Sequence, residues 1–114
     1  KYDLDCLESL FLAGERCDPD TLNWASSKLG IPVIDHWWQT ETGWPICSNC
    51  LGIEMQPIVP GSPARPVPVY KFDVFDANVS PVARGEIGAF VVELPLPPGK
   101  FTGLWNSYDR LLSA

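Results

Sequence analysis

Two short apolar runs near the start of the chain have the pattern of buried β-strands. The first covers residues 8–13, Glu-Ser-Leu-Phe-Leu-Ala, and ends at Gly14. The second, residues 31–35, reads Ile-Pro-Val-Ile-Asp and is mostly β-branched, and Pro32 is tolerable near the start of a strand. Because apolar runs bounded by turn residues are typical of parallel sheets, this pattern predicts two parallel strands.

The segment between these runs has the signals of a helix with defined ends. Asp18 suits the N-cap, and Pro19 suits the first helical position. Apolar residues then recur at helical spacing through residues 22–29, and Gly30 suits the C-terminal cap. The chain is therefore predicted to form a right-handed parallel strand-helix-strand unit over about residues 8–36.

The second half of the chain has a different pattern. Residues 44–68 contain five prolines from position 57 onward, which disfavour both helix and strand pairing and predict a connector. Residues 69–76 alternate between apolar and polar side chains, and residues 88–94 form another strand-like run. The predicted fold class is α/β, with the parallel unit followed by this proline-rich connector and an antiparallel hairpin or partial barrel over about residues 69–94.

Composition and charge exclude several classes of function. Apolar residues make up 46% of the 114 and charged residues 19%, which argues against a disordered chain. No stretch of about eighteen apolar residues occurs, so no membrane association is expected. The net charge is −6, and the acidic residues are concentrated in the first half, which disfavours a nucleic-acid partner.

The cysteines and the single histidine offer only weak signals for a metal site. Cys47 and Cys50 have the spacing of half a zinc site, but Cys6 and Cys17 do not supply the other half. His36 lies in an apolar and aromatic stretch, where a hydrogen-bonded structural histidine is expected. Free thiols in a reducing compartment are the expectation for all four cysteines.

The loops after the two predicted strands contain the candidate chemistry, and both are expected to face one crevice at the carboxyl ends of the strands. Trp37 and Trp38 offer flat apolar surfaces for a heterocycle, the Thr40 hydroxyl can donate to a phosphate, and the Glu41 carboxylate can hold Mg²⁺. The same residues also fit two core indoles and a solvated turn. Glu15 and Glu41 could instead be a glycosidase carboxylate pair, although nothing nearby indicates a sugar site.

Several strings of residues together resemble one enzyme family, the AMP-forming acyl-CoA synthetases of the adenylate-forming superfamily. They are Leu-Phe-Leu-Ala-Gly-Glu-Arg over residues 10–16 and Val-Ile-Asp-His-Trp-Trp-Gln-Thr-Glu-Thr-Gly over residues 33–43, with Pro-Gly-Ser-Pro-Ala at 60–64 and Gly-Glu-Ile-Gly at 85–88. Within the family the resemblance is to the acetyl- and propionyl-CoA synthetase branch, and it covers almost the whole chain. It implies a central fragment of the large N-terminal AMP-binding domain.

The resemblance also implies subdomains and a nucleotide site. Residues 1–56 would belong to the parallel-sheet nucleotide-binding subdomain and residues 57–114 to the antiparallel or barrel subdomain. The candidate adenine-binding residues fall into three groups. The backbone of Gly14, Glu15 and Arg16 would flank one face of adenine. Trp37 would stack on the other face, and Asp35 would reach the adenine amino group.

By the same resemblance, the remaining roles concern phosphate, metal and acid. Thr40 would bond the α-phosphate, and Glu41 would hold Mg²⁺; these two are the candidate catalytic residues. Trp38 would form the floor of the acyl pocket and favour short acids, and Ala13 would line the same pocket. Arg16 stands where acetyl-specific relatives often have Pro, which points away from a strict acetate enzyme.

The implied reaction joins a short carboxylate to coenzyme A with ATP, and it releases AMP and pyrophosphate. The family's phosphate loop, hinge and catalytic lysine lie outside these residues, so the 114-residue chain alone is expected to be inactive and to work with the rest of a longer chain. A cytoplasmic location is expected, or the mitochondrial matrix in a eukaryote. A non-enzymatic nucleotide-binding or interaction module that retains the loops is the alternative.

Overall fold

The computed structural model describes residues 2–113, and its first unit is a pair of parallel strands joined by a helix. Strand β1 spans Leu10–Leu12, helix α1 spans Pro19–Leu29, and strand β2 spans Val33–Asp35. β1 and β2 pair in parallel, with Leu10 opposite Val33. Both strands are shorter than the apolar runs. Before β2, Gly30 turns the chain in the left-handed region (φ 68°), and Pro32 has no N–H to donate.

Helix α1 has the two caps that its sequence indicates. The Asp18 side chain accepts a hydrogen bond from the backbone N–H of Thr21 at 2.9 Å, and hydrogen bonding with Thr21 holds the pKa of Asp18 below its ordinary value. At the other end, the Gly30 N–H donates to the Ser26 carbonyl at 2.8 Å. The buried face of the helix, Leu22 and Ala25, packs with Val33 in an apolar cluster, which fixes α1 against β2.

The proline-rich connector contains more regular structure than the sequence predicts. Strand β3, Cys47–Ser48, pairs antiparallel with strand β4, Arg65–Pro66. Between them, the Asn49 side chain makes two bonds to the backbone of Gln56: its amide donates to the carbonyl at 2.7 Å, and its Oδ1 accepts from the N–H at 3.0 Å. Asn49 is 2% exposed, so this pair of bonds closes the loop of residues 50–55 from inside the protein.

The second half ends in a hairpin and a short helix. Strand β5, Phe72–Phe75, pairs antiparallel with strand β6, Ala89–Val92, and helix α2 spans Tyr108–Leu112. A buried cluster of Ile46, Cys47, Val67 and Tyr70 joins the connector to this hairpin.

Trp37 packs against the same buried cluster from the loop that follows β2. The loop that follows β2 is therefore attached, through Trp37, to the second half of the molecule. Within residues 2–113, no helix has the length and apolar character needed to cross a membrane.

Candidate functional site

A cleft of about 500 Å³ lies at the carboxyl ends of β1 and β2. Six of the residues predicted from the sequence line it: Gly14, Glu15, Arg16, Asp35, Trp37 and Trp38. The first three follow β1, and the others lie at or after the end of β2, so the parallel pairing brings the two loops together. A site of this size and position can hold a small organic ligand.

Gly14, in the loop after β1, has a backbone conformation that favours glycine. Its φ is +109°, a region that L side chains rarely adopt, and apart from its two chain neighbours no residue has an atom within 4 Å of where its Cβ would be. The chain can therefore turn sharply here, and the space beside its backbone is open. These are the properties that a flat ligand needs in order to approach a backbone.

Asp35 connects the two loops directly. It is 5% exposed, and its Oδ2 accepts a hydrogen bond from the backbone N–H of Cys17 at 3.0 Å. This bond fixes the loop after β1 against the end of β2 and commits one carboxylate oxygen. Burial and then the carboxylates of Asp18 and Asp35 raise the pKa of the Cys17 thiol, so Cys17 is not a thiolate nucleophile at neutral pH.

One face of Trp37 is covered by an aromatic residue that the sequence did not point to. The Phe90 ring, from β6, lies 5.4 Å from the Trp37 ring between centroids, at an interplanar angle of 32°. A purine between two rings needs about 7 Å, twice a carbon–carbon contact of roughly 3.5 Å. Phe90 therefore competes with a purine for this face of Trp37.

Three further lining residues were not predicted as site residues: His36, Gly61 and Pro63. Gly61 approaches Arg16 closely, since a Cβ on Gly61 would lie 3.7 Å from a guanidinium nitrogen of Arg16. Gly61 and Pro63 both belong to the Pro-Gly-Ser-Pro string over residues 60–63, which is part of the family resemblance. Nothing local in the sequence indicates that this string returns to the cleft.

His36 differs from the expectation of a hydrogen-bonded structural histidine. Its Nδ1 is buried and has no hydrogen-bond partner within residues 2–113, and its ring makes an edge contact with Phe11 at 5.7 Å between centroids. Burying an unpaired polar atom costs about 1–3 kcal/mol.

Ala13, Thr40 and Glu41 are exposed and do not line this cleft. Thr40 and Glu41 lie in a turn within the loop of residues 38–45. Two backbone bonds close the base of that loop: the Trp37 N–H donates to Cys47 at 2.9 Å, and the Ile46 N–H donates to Trp37 at 2.8 Å. In the described part of the chain, Glu41 belongs to no ion pair, so its carboxylate is available to a cation.

The cysteines do not form a metal centre in the described residues. All four thiols are free, and residues 2–113 contain no group of three or more His, Cys, Asp or Glu side chains arranged to hold a metal ion. Burial raises the pKa of Cys47 to about 11, so this thiol is protonated at neutral pH. The Cys47-Ser-Asn-Cys50 string thus begins in the core, with Cys47 in β3.

Comparison with known proteins gives a consistent result. The family model described as AMP-binding enzyme matches residues 1–104. The chain is 44% identical over 110 residues, 96% of its length, to the mitochondrial acyl-CoA synthetase short-chain family member 3 of Mus musculus, and 44% identical over 115 residues, covering 98% of it, to the propionate–CoA ligase of Escherichia coli.

A solved structure, that of an acyl-CoA synthetase of Brucella canis, superposes with a TM-score of 0.68 at 32% identity, covering 75% of this chain and 16% of that one. The chain spans 16% and 18% of the lengths of the two curated relatives. The mixed arrangement of strands and helices described above therefore corresponds to part of an acyl-CoA synthetase fold.

Proposed function

The chain belongs to the AMP-binding enzyme family, and on that basis we propose that it is the central segment of an ATP-dependent, AMP-forming short-chain acyl-CoA synthetase. In this reaction a carboxylate oxygen attacks the α-phosphorus of ATP, and pyrophosphate leaves. The thiol of coenzyme A then attacks the acyl carbon of the acyl-adenylate, and AMP leaves. The observation that supports this most is that one cleft is lined by both the Gly-Glu-Arg loop and the Asp-His-Trp-Trp loop.

In the proposed nucleotide site, adenine lies between the backbone of Gly14, Glu15 and Arg16 and the indole of Trp37. The open space beside Gly14 supports the first contact. Oδ2 of Asp35 is bonded to the Cys17 N–H, which leaves Oδ1 to accept a hydrogen bond from the adenine amino group. Stacking on Trp37 requires that Phe90 withdraw or that the base use the other face of the indole.

Thr40 and Glu41 are proposed to act on the phosphates. The Thr40 hydroxyl would donate to an α-phosphate oxygen, and the Glu41 carboxylate would hold Mg²⁺. Glu41 is exposed and is in no ion pair within residues 2–113, and such a carboxylate fits Mg²⁺, which binds through one or two carboxylates together with substrate phosphates and water. When bound, the metal would offset the negative charge that spreads over the phosphate oxygens, and the chain itself contributes mainly positioning.

Trp38 and Ala13 are proposed to line the acyl pocket, Trp38 from within the cleft and Ala13 from the position next to the cleft residue Gly14. The Trp38 indole is 41% exposed and lines the cleft beside Trp37, so it occupies space that a longer acid would need. This favours acetate or propionate. The names of the relatives, a short-chain synthetase and a propionate–CoA ligase, support the same class of substrate.

In the same proposal, residues 1–56 belong to the parallel-sheet nucleotide-binding subdomain and residues 57–114 to the antiparallel or barrel subdomain of one AMP-binding domain. The rest of a longer chain completes the sites for pyrophosphate and coenzyme A. The enzyme would work in the cytoplasm or in the mitochondrial matrix. One of the relatives is described as mitochondrial.

The test is carboxylate-dependent exchange of pyrophosphate into ATP by the longer protein that contains this segment. Acetate or propionate should support exchange, and Glu41→Ala should lower it strongly while thermal unfolding changes little, because Glu41 is exposed. The matched control is Glu54→Ala, an exposed glutamate outside the cleft. ATP binding without exchange for any short acid would favour the alternative, a nucleotide-binding module without enzymatic activity.

A further inference from the structure

The loop that carries Thr40 and Glu41 has one buried residue. Within residues 38–45 only Thr42 is buried, at 6% exposure, whereas both neighbours on its N-terminal side are exposed. A buried hydroxyl in a loop with no other buried residue must be hydrogen-bonded to be tolerated. The partners of this hydroxyl therefore show what it does in the loop.

The Thr42 hydroxyl closes the turn on both sides of Thr40 and Glu41. Its Oγ1 accepts from the backbone N–H of Gln39 at 3.0 Å, and its proton reaches the Gln39 carbonyl at 2.8 Å or the Trp44 carbonyl at 3.0 Å. The backbone N–H of Thr42 donates to the same Gln39 carbonyl at 3.0 Å. The two residues between these contacts are thus held in place by bonds that they do not make themselves.

A second residue attaches this turn to the core. The Tyr70 hydroxyl donates to the Thr42 carbonyl at 3.2 Å, across 28 positions of sequence. Tyr70 is 6% exposed and belongs to the buried cluster with Ile46 and Val67. Burial raises the pKa of this phenol, so it remains a protonated donor at neutral pH. The turn is therefore fixed relative to the wall of the cleft that Trp37 forms.

We propose that Thr42 and Tyr70 are positioning residues, which orient Thr40 and Glu41 toward the phosphates and the cation without touching either. This inference rests on the proposed function. An exposed loop would otherwise have to be ordered each time nucleotide binds, which lowers both affinity for the metal–nucleotide complex and the rate of adenylation.

The test compares Thr42→Val, which keeps the shape but removes the hydroxyl, with Thr42→Ser, which keeps the hydroxyl. In the longer protein, Thr42→Val should lower the kcat of pyrophosphate exchange by about tenfold, which is about 1.4 kcal/mol. It should also raise the Mg²⁺ concentration for half-maximal exchange. Thr42→Ser should remain within about threefold of wild type, and Tyr70→Phe should shift both quantities in the same direction as Thr42→Val. Thr102→Val, an exposed threonine outside the loop, is the matched control.

Equal losses in Thr42→Val and Thr42→Ser, or a folded Thr42→Val with unchanged Mg²⁺ dependence, would overturn the proposal. Where Thr42→Val does not fold, as judged by thermal unfolding, Tyr70→Phe decides: unchanged exchange and Mg²⁺ dependence overturn it. Affinity for Mg²⁺-ATP, measured by calorimetry, tells a failure of the positioning role apart from a failure of the proposed function. If the wild type shows no exchange but Thr42→Val weakens Mg²⁺-ATP binding, the proposed function fails and the positioning role stands; if binding is also unchanged, both fail.

Discussion

Replacing Trp38 by glycine should change which acids the longer enzyme prefers. Trp38 lines the cleft and is 41% exposed, so more than half of its surface lies against other residues. Removing the indole opens space beside Trp37 that an acyl chain can enter. Each added methylene that becomes buried contributes about 0.8 kcal/mol, which is about fourfold in kcat/KM. Three further methylenes, from propionate to hexanoate, should therefore gain about 60-fold relative to propionate.

Short acids should lose activity in the same variant. With the indole absent, acetate and propionate have fewer contacts to hold their carboxylate against the α-phosphate, so their kcat/KM should fall. The expected result is a crossover, from acetate or propionate in the wild type to acids of about five or more carbons in Trp38→Gly.

The assay is kcat/KM over a series of straight-chain acids for the wild type, for Trp38→Gly and for Trp24→Ala. Trp24 is an exposed indole of α1 that does not line the cleft, so its replacement should leave the preference unchanged. If Trp38→Gly lowers every acid by one common factor, Trp38 is a structural residue. The short-acid proposal would then lose its main support in the structure.

Three other predictions concern activity, stability and thiol chemistry. The 114-residue chain alone should show no carboxylate-dependent exchange above a Glu41→Ala background, because it spans only 16–18% of the curated relatives; exchange above that background would contradict this. Asn49→Ala leaves the N–H and carbonyl of Gln56 unpaired, and it should lower the free energy of unfolding by about 2–4 kcal/mol, measured from the urea midpoint. The control is Asn23→Ala, on the exposed side of α1. If Asn49→Ala shifts the midpoint no more than this control does, the bonds to Gln56 contribute little to stability. Burial raises the pKa of Cys47 from 9.0 to about 11, so between these pH values the folded protein keeps a proton that the unfolded chain releases, and stability should fall as the pH rises through that window. At pH 8 iodoacetamide should modify Cys47 far more slowly than the exposed Cys6. Equal rates of modification in peptide mapping would refute this.

Local signals in the sequence account for much of the first unit. Asp18 and Gly30 predict the ends of α1 because capping depends on neighbouring backbone groups. The six cleft residues follow from two strands that end at the same edge. The resemblance to AMP-forming synthetases is confirmed by the family match over residues 1–104.

What the sequence did not predict depends on contacts between distant residues. The pairing of β3 with β4 joins Cys47 to Pro66, and no periodicity can appear in strands of two residues. Phe90 reaches Trp37 only because the hairpin packs on the connector. Thr42 is part of the Gln-Thr-Glu-Thr-Gly string, but nothing in that string predicts its burial or its contact with Tyr70, which is 28 positions away in the sequence.

The bonds between Asn49 and Gln56 also determine where this molecule can change length. They join the two ends of the loop from inside, and residues 52–55 at its tip are all exposed. The free energy of closing a loop grows only slowly with its length, by about 0.6 kcal/mol for each doubling. Extra residues inserted at this tip would therefore leave the bonded ends, and with them the route of the chain to Gly61 and the cleft, unchanged. This loop is a suitable site for a peptide tag or a fluorescent label.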